Sequence, residues 1–289
     1  MLDLSIIRSF FANKHDDVIV DADELGFVVH KGHRFLTFLQ DAKYLGGIIS
    51  NEDIVAVLYN DSIEIEAKSI QARLIPVSDA RLAFSVLHNS LRSHYADVES
   101  YVSSSAKIDS SVQIPSRGVY IGDEVLIEPN VVIYPGTTIS QGAVIRSGAI
   151  IGSEALDIRE VEDGPFLMSN HLGRVHIGEY VEVGNNSVVD RAIFRHQTTS
   201  IGFSSKIGCL VNISHGVKVG AKNKIAGGVQ ICGGTQVGDN NWFGPKAVVS
   251  HMLNIGSNVF VSLGSVVLKD LGDGWKVVNS RVFQDRHPF

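Results

Sequence analysis

His215 lies in the stretch LVNISHGVKVG (residues 210–220); eighteen residues on stands Gly233, and eighteen beyond that His251. A neutral imidazole that titrates near pH 7 is the ordinary general base for an incoming amine or hydroxyl. A glycine leaves its backbone N–H open to approach, which is how an oxyanion donor is often made. The three residues form one site only if the chain returns to the same place every eighteen residues. Other groups with chemical potential are scattered more widely. His171 and His176 have the H-x4-H spacing of a metal pair, but no third histidine stands between His94 and His171 to complete a site, so no metal is expected. Cys209 and Cys232 have no activating base in their own hexads and read as packing residues. The neighbours Asp190 and Arg191 would either bind substrate or form a salt bridge at a corner.

The chain does return. Cut into sixes from residue 201, it gives IGFSSK, IGCLVN, ISHGVK, VGAKNK, IAGGVQ, ICGGTQ and six further hexads. The first residue is Ile, Val or Phe in all twelve, and the second is Gly, Ala, Ser or Cys in all but the last. The beat runs upstream through Ile121, Ile127, Ile133, Ile139, Ile145 and Ile151, and again through Ile177, Val183 and Val189. Residues 157–176 interrupt it, and residues 195–200 keep the count without an apolar leader. A period of six is neither helical nor simply alternating. It is the hexapeptide signature of a parallel β-helix, with one inward aliphatic residue per short strand and three strands per coil. The left-handed winding usual for this repeat is carried over from the class. Coils of eighteen residues stack His215, Gly233 and His251 on one face, the two imidazoles about 9–10 Å apart at ~4.8 Å per coil. That gap suits a substrate held between them.

The rest of the chain sets the frame. It has 289 residues, 44% of them hydrophobic, and a net charge of −6, which argues against nucleic acid as the main partner. Two cysteines match no disulfide or zinc framework and suggest free thiols in a reducing compartment. The N-terminal MLDLSIIRSFFANKHDD has no signal-peptide character, and no apolar run is long enough for a membrane span, so a cytoplasmic protein is expected. Residues 1–100 lack the beat: FVVH, GGIIS and IVAVLYN read as short buried strands, DARLAFSVLHNSLRSHY as an amphipathic helix, and DVIVDADELG as an acidic solvated loop or edge. The expected organisation is mainly β: a small α/β nucleotide-binding domain over 1–100, a polar linker near ADVESYVSSSAKIDSS, a left-handed β-helix over 101–270 and an exit segment over 271–289. A single β-helix exposing Trp242 and Phe260 on flat faces would assemble as a homotrimer.

The run HLGRVHIGEYVEVGNNSVVDRAIFRHQTTSIGFSSKIGCLVNISHGVKVG resembles the UDP-3-O-acylglucosamine N-acyltransferases of lipid A synthesis, and LTFLQDAKYL resembles their nucleotide-binding segment. The resemblance extends from about residue 20 to 270. It implies a homotrimer and direct acyl transfer from a thioester of acyl carrier protein or CoA to a sugar amine, with no permanently bound cofactor. It implies His215 as general base, Gly233 as oxyanion donor, His251 as an acceptor contact, and Phe38 with Tyr44 around a uracil. The sequence departs from the family at Asp41–Ala42, where Asn-Pro is usual, and at Cys209, where asparagine is usual. The ending VSLGSVVLKDLGDGWKVVNSRV resembles instead that of acetyl-CoA-dependent sugar acetyltransferases, so the donor stays open between carrier protein and CoA. A non-catalytic trimer that binds a nucleotide sugar is the reading from a different class.

Overall fold

The computed structural model describes residues 1–11, 19–65, 70–162 and 164–284. The chain forms two compact units, residues 1–92 with 156–170, and residues 93–155 with 171–289.

The second unit is a left-handed parallel β-helix. Among the described residues its strands collect into three sheets, of ten, seven and eight strands, one for each side of a triangular coil and parallel except for the last strand of the first. Register follows the eighteen-residue period: Asn212 lies beside Gln230 and Gln230 beside Val248, while Lys206 lies beside Lys224 and Lys224 beside Trp242. The hexad leaders point inward and form one column, with Ile121, Ile139, Ile177, Ile213, Ile231 and Val249 each at 0% exposure. Burying each such side chain is worth roughly 1.5–3 kcal/mol, and here every coil supplies three. The small second residue has its own reason. A Cβ on Gly184 would come within 2.7 Å of the Cys209 backbone nitrogen in the next coil, a position no side-chain movement relieves. At the fourth place of the hexad the chain turns through left-handed backbone, at Ser204, Leu210, Lys222, Asn240, Lys246, Met252 and Asn258 with φ near 56–58° or 55°.

Two expectations about the ends of the helix need correction. The stretch expected as a linker, residues 96–111, already contains the first coil: Tyr101–Val102 pairs with Tyr120–Ile121, and Lys107–Ile108 with Leu126–Ile127. Its hexad leaders are weak, so the backbone ladder marks it where the apolar pattern does not; Ser103 N–H donates to Ile121 carbonyl at 2.9 Å. The exit segment also continues the sheet. Lys276–Val278 pairs in parallel with Phe260–Val261, and Arg281–Phe283 folds back antiparallel against it. Val277 extends the buried column at 0% exposure, and the returning strand covers the last parallel edge, a device that blunts edge-to-edge association.

The first unit holds a four-stranded parallel sheet, Glu24–Leu25, Phe35–Leu39, Ile54–Asn60 and Arg73–Val77 in that order. IVAVLYN is a strand as its pattern predicts, and DARLAFSVLHNSLRSHY supplies the helix Ala80–Ser90. Asp79 caps that helix by accepting from Leu82 N–H at 2.9 Å, and Ala83, Phe84 and Leu87 face the sheet side. FVVH and GGIIS are not strands. FVVH is a turn in which His30 Nδ1 accepts from Phe27 N–H at 3.0 Å, and GGIIS falls in the short helix Leu45–Ile49. Apolar runs this short carry no period by which to tell strand from helix. DVIVDADELG contributes the edge strand Glu24–Leu25, with Leu25 buried, while residues 17–18 of that stretch lie outside the described residues. Among the described residues no helix is long and apolar enough to cross a membrane.

On the seven-stranded side of the β-helix the outward residues are Val132, Ile150, Val188, Asn212, Gln230, Val248 and Val266, none of them ionisable. At its margin Asp190 is buried at 5% exposure and accepts from Ser153 Oγ at 2.8 Å. Burial pushes its carboxyl above the ordinary value of 3.8, against the opposing effect of hydrogen bonds from Ser153 and Asn212. An acid raised in this way supports folding while protonated. That support is complete below the unfolded value and is lost as pH rises through the folded one. Asp190→Asn, which stays neutral throughout, should therefore flatten the pH dependence of stability from 3.8 upward to the raised folded value. Denaturant midpoints of both proteins from acid to neutral pH check this; parallel curves would show that Asp190 carries no such penalty.

Candidate active site

The tight corner Ser214–Val217 joins the strand Asn212–Ile213 on the seven-stranded side to Lys218–Val219 on the eight-stranded side. His215 sits in this corner, half-buried. The coils above bring Gly233 and His251 to the same corner: Gly234 N–H donates to His215 carbonyl, and Met252 N–H to Gly233 carbonyl, each at 2.9 Å. The stack expected from the spacing is therefore present. Its interior differs from the expectation. The His215 ring folds up against Gly233, so that a Cβ there would lie 2.5 Å from Nε2 and 3.0 Å from Nδ1. The imidazole takes the space that a side chain at 233 would fill. A side chain at 233 would displace the ring from this position. The Gly233 N–H has no hydrogen-bond acceptor among the described residues. His251 is exposed, its Nδ1 3.4 Å from Ser250 Oγ.

Both breaks in the hexad beat fall at this same corner. The chain leaves the seven-stranded side after Ile150–Ser153 and re-enters the eight-stranded side at Arg174–Ile177; it leaves again after Val188–Asp190 and re-enters at Thr198–Ile201. The corner below His215 is thus built from extra chain, and that chain brings residues whose role the spacing alone does not reveal. His171 is buried at 1% exposure, with its ring centroid 5.7 Å from that of His215 and the two planes at 81°. It does not join His176, whose Nε2 lies 2.9 Å from Ser140 Oγ on the eight-stranded side. Among the described residues no group of three or more His, Cys, Asp or Glu is arranged to hold a metal ion. Asp190 and Arg191 do not pair with each other: Arg191 forms its ion pair with Glu154 and reaches Pro135 carbonyl at 3.4 Å. The signal for this corner in the sequence is the position of the two interruptions.

The remaining candidates lie elsewhere. Cys209 is an exposed free thiol, 3.7 Å from Asn185 Oδ1; Cys232 is a half-buried free thiol whose pKa burial raises. Trp242 and Phe260 are neighbours on the ten-stranded side, in one row with Lys206, Lys224 and Lys276. In the first unit, Phe38 is half-buried and packs against Phe84 at 5.0 Å and Phe27 at 6.2 Å. Tyr44 is 54% exposed with Lys43 Nζ 5.0 Å from its ring centre, and the two aromatics make no ring contact with each other. Between them Asp41 pairs with Lys43 at 2.8 Å, which holds its carboxyl below the ordinary range. A cavity of about 410 Å³ borders Gln40 of the same segment, with Asp79, Arg81 and Arg159 also in its wall.

Residues 118–153 match the family described as bacterial transferase hexapeptide (six repeats). A UDP-3-O-acylglucosamine N-acyltransferase of Caulobacter sp. (strain K31) is 35% identical over 106 residues, 36% of this chain and 31% of that protein. A protein of the same name from Protochlamydia amoebophila (strain UWE25) is 40% identical over 62 residues, 22% of this chain and 17% of that one. The chain thus spans less than a third of the length of these curated relatives. Among solved structures, LpxA from Acinetobacter baumannii superposes with a TM-score of 0.51 at 22% identity, over 63% of this chain and 70% of that one, which is a likeness of fold. Repeat and coil agree: residues 118–153 carry the hexapeptide repeat described for bacterial transferases, and the β-helix continues it on either side.

Proposed function

We propose that the protein is an N-acyltransferase that moves an acyl group from a thioester, of acyl carrier protein or CoA, to the amine of a nucleotide-linked amino sugar in lipid A or surface-polysaccharide synthesis. The observation that carries this reading is the corner itself: a half-buried imidazole set against a glycine whose N–H has no acceptor among the described residues. The sequence relatives named above supply the substrate class. In the reaction the sugar nitrogen attacks the thioester carbonyl carbon and a C–N bond forms. His215 takes the proton the nitrogen sheds, and the developing oxyanion accepts from Gly233 N–H. The C–S bond then breaks, and the proton on His215 passes to the leaving thiolate. A donor of this kind is worth ~3–4 kcal/mol of barrier, and a general base ~10²–10⁴ in rate. His251, exposed one coil further on, is the acceptor-side contact.

Assembly as a homotrimer belongs to the same proposal. The seven-stranded side supports it better than the aromatic pair does. Trp242 and Phe260 share their row with three lysines, whereas the corresponding outward row from Val132 to Val266 holds no ionisable residue. A flat row of this length without charge, and largely apolar, is seldom left to water. This face ends at the His215 corner, so a neighbouring copy lying on it would wall the site.

Three outcomes are expected. His215→Ala should keep the melting behaviour of the parent and lose ~10²–10⁴ in kcat when carrier-protein and CoA thioesters are offered with UDP- and dTDP-amino sugars and products are weighed by mass. A loss below about tenfold with chemistry rate-limiting removes His215 as base. Tyr44→Ala should weaken pyrimidine-nucleotide binding about tenfold by calorimetry, since stacking on an aromatic ring is worth ~1–3 kcal/mol per base. Because Tyr44 is exposed, this variant spares the core, whereas Phe38→Ala should weaken binding and also loosen its packing on Phe84. Tighter binding of a purine nucleotide would remove the pyrimidine reading, and no binding of either would remove the nucleotide-sugar reading. Light scattering should give three times the chain mass, and Val188→Asp should reduce it to one; a monomeric parent at micromolar concentration refutes the shared wall.

A further inference from the structure

We propose that His171 is a positioning residue for His215, holding its imidazole in the single orientation that general-base catalysis requires. The inference rests on the acyl-transfer reading of the corner and adds a residue to it. A histidine on a solvent-facing corner is free to turn about both side-chain bonds unless something stands on each side of the ring. Gly233 provides one wall: the His215 ring lies within 2.5–3.0 Å of the place a Cβ would take there. His171 provides the second, with ring centroids 5.7 Å apart and planes at 81°, the edge-to-face arrangement that aromatic pairs prefer.

The second wall is itself fixed. His171 is 1% exposed, and its Nε2 accepts from Ala155 N–H at 3.3 Å. A backbone amide can only donate, so Nε2 carries the lone pair and His171 stands as the neutral tautomer with its proton on Nδ1. The wall beside the base is thus an uncharged ring tied to the main chain, which does not compete with His215 for charge. Other charged or titratable groups on the chain of this corner are Glu154, Asp190, Arg191, Arg195 and His196 below, and His251 above. Ala155 and His171 are the two ends of the excursion that carries residues 156–170 away into the first unit. The hydrogen bond between them closes that excursion and sets the wall in the same contact.

Substitutions at His171 separate a wall from a mere structural tie. His171→Gln keeps an acceptor for Ala155 N–H and removes the ring; His171→Phe keeps the ring and removes the acceptor. As a wall, His171 demands that Ala and Gln lower kcat about tenfold to a hundredfold with KM within about threefold, as expected of a misplaced catalytic group. Phe should recover most of the rate. In a His215→Ala background none of the three should reduce the residual rate further, because the effect acts through that imidazole. A readout without turnover accompanies these. The His215 ring resonance, identified by its loss in His215→Ala, should change its titration midpoint by about half a pH unit in His171→Ala and His171→Gln, and stay near the parent in His171→Phe. Rescue by Gln and not by Phe, losses that add to His215→Ala, or a midpoint unmoved in every variant would each overturn the proposal. If the midpoint moves as expected and no thioester yields product, the ring contact stands and the acyl-transfer reading falls.

Discussion

Every coil of this protein must close in register on the one before it, and that requirement governs the rest of the molecule. Parallel strands stack only when the backbone of one coil donates to the carbonyls of the next, as Gly202 N–H does to Val219 carbonyl at 2.7 Å and Gly220 N–H to Val237 carbonyl at 2.8 Å. The spacing leaves room for an aliphatic side chain inward and for almost nothing beside the corner. The leader is therefore Ile or Val, the next residue small, and the fourth residue left-handed, whatever its side chain; Leu210 and Met252 adopt φ of 57° and 58° there. Such backbone is costly for residues other than glycine. It is repeated because the coil cannot close without it, and the buried column offsets that cost.

The same requirement decides where the chain can depart from the pattern. Extra residues inserted within a strand would shift every inward side chain outward. At a corner they can loop out and return without disturbing the ladders. Both departures use one corner, between the seven- and eight-stranded sides, and the coil reforms after each with Ile139 beside Ile177 and Ile177 beside Ile201. The first departure carries residues 156–170 into the other unit. The second places Phe194–Gln197 beside the corner of Gly216, where Gln197 Oε1 would lie 3.9 Å from a Cβ on that glycine. A regular solenoid offers identical corners all along its length. Here the insertions make one corner unlike the others, and that corner holds His215.

This history explains what could be read from the sequence. The β-helix was legible because its period is enforced by closure at each coil; the stacking of His215, Gly233 and His251 followed by counting. The first coil and the last rung were not, because residues 96–111 and 271–284 meet the backbone requirement with weak or irregular leaders, and backbone hydrogen bonds leave no mark on composition. FVVH and GGIIS failed for a different reason: four or five apolar residues bounded by glycine fit a strand, a turn or a short helix equally well, and packing decides. His171 was visible only as half of a metal-like spacing. Its contact with His215 spans 44 residues and two irregular loops, so no periodicity could have joined them. The orientation of the His215 ring against Gly233 was equally hidden, since counting aligns backbones and says nothing of rotamers.

The corner's electrostatics follow from its place in the triangle. The outward row of one side that meets there presents valines, isoleucine and amides, with no ionisable residue in the row from Val132 to Val266. Asp190, at that margin, is already dry enough for burial to raise its pKa while Ser153 hydrogen-bonds it. A site at the edge of such a row has few competing ions, and in the proposed trimer a second copy covering the row would also exclude water from it. Both changes would strengthen the proposed chemistry: Gly233 N–H would act on an oxyanion with less screening, and the imidazole beside it would exchange its proton with substrate in place of solvent. In the proposed trimer, assembly and chemistry would therefore depend on the same row of outward residues. Charge placed on that row would act twice, by opposing association and by readmitting water to the base.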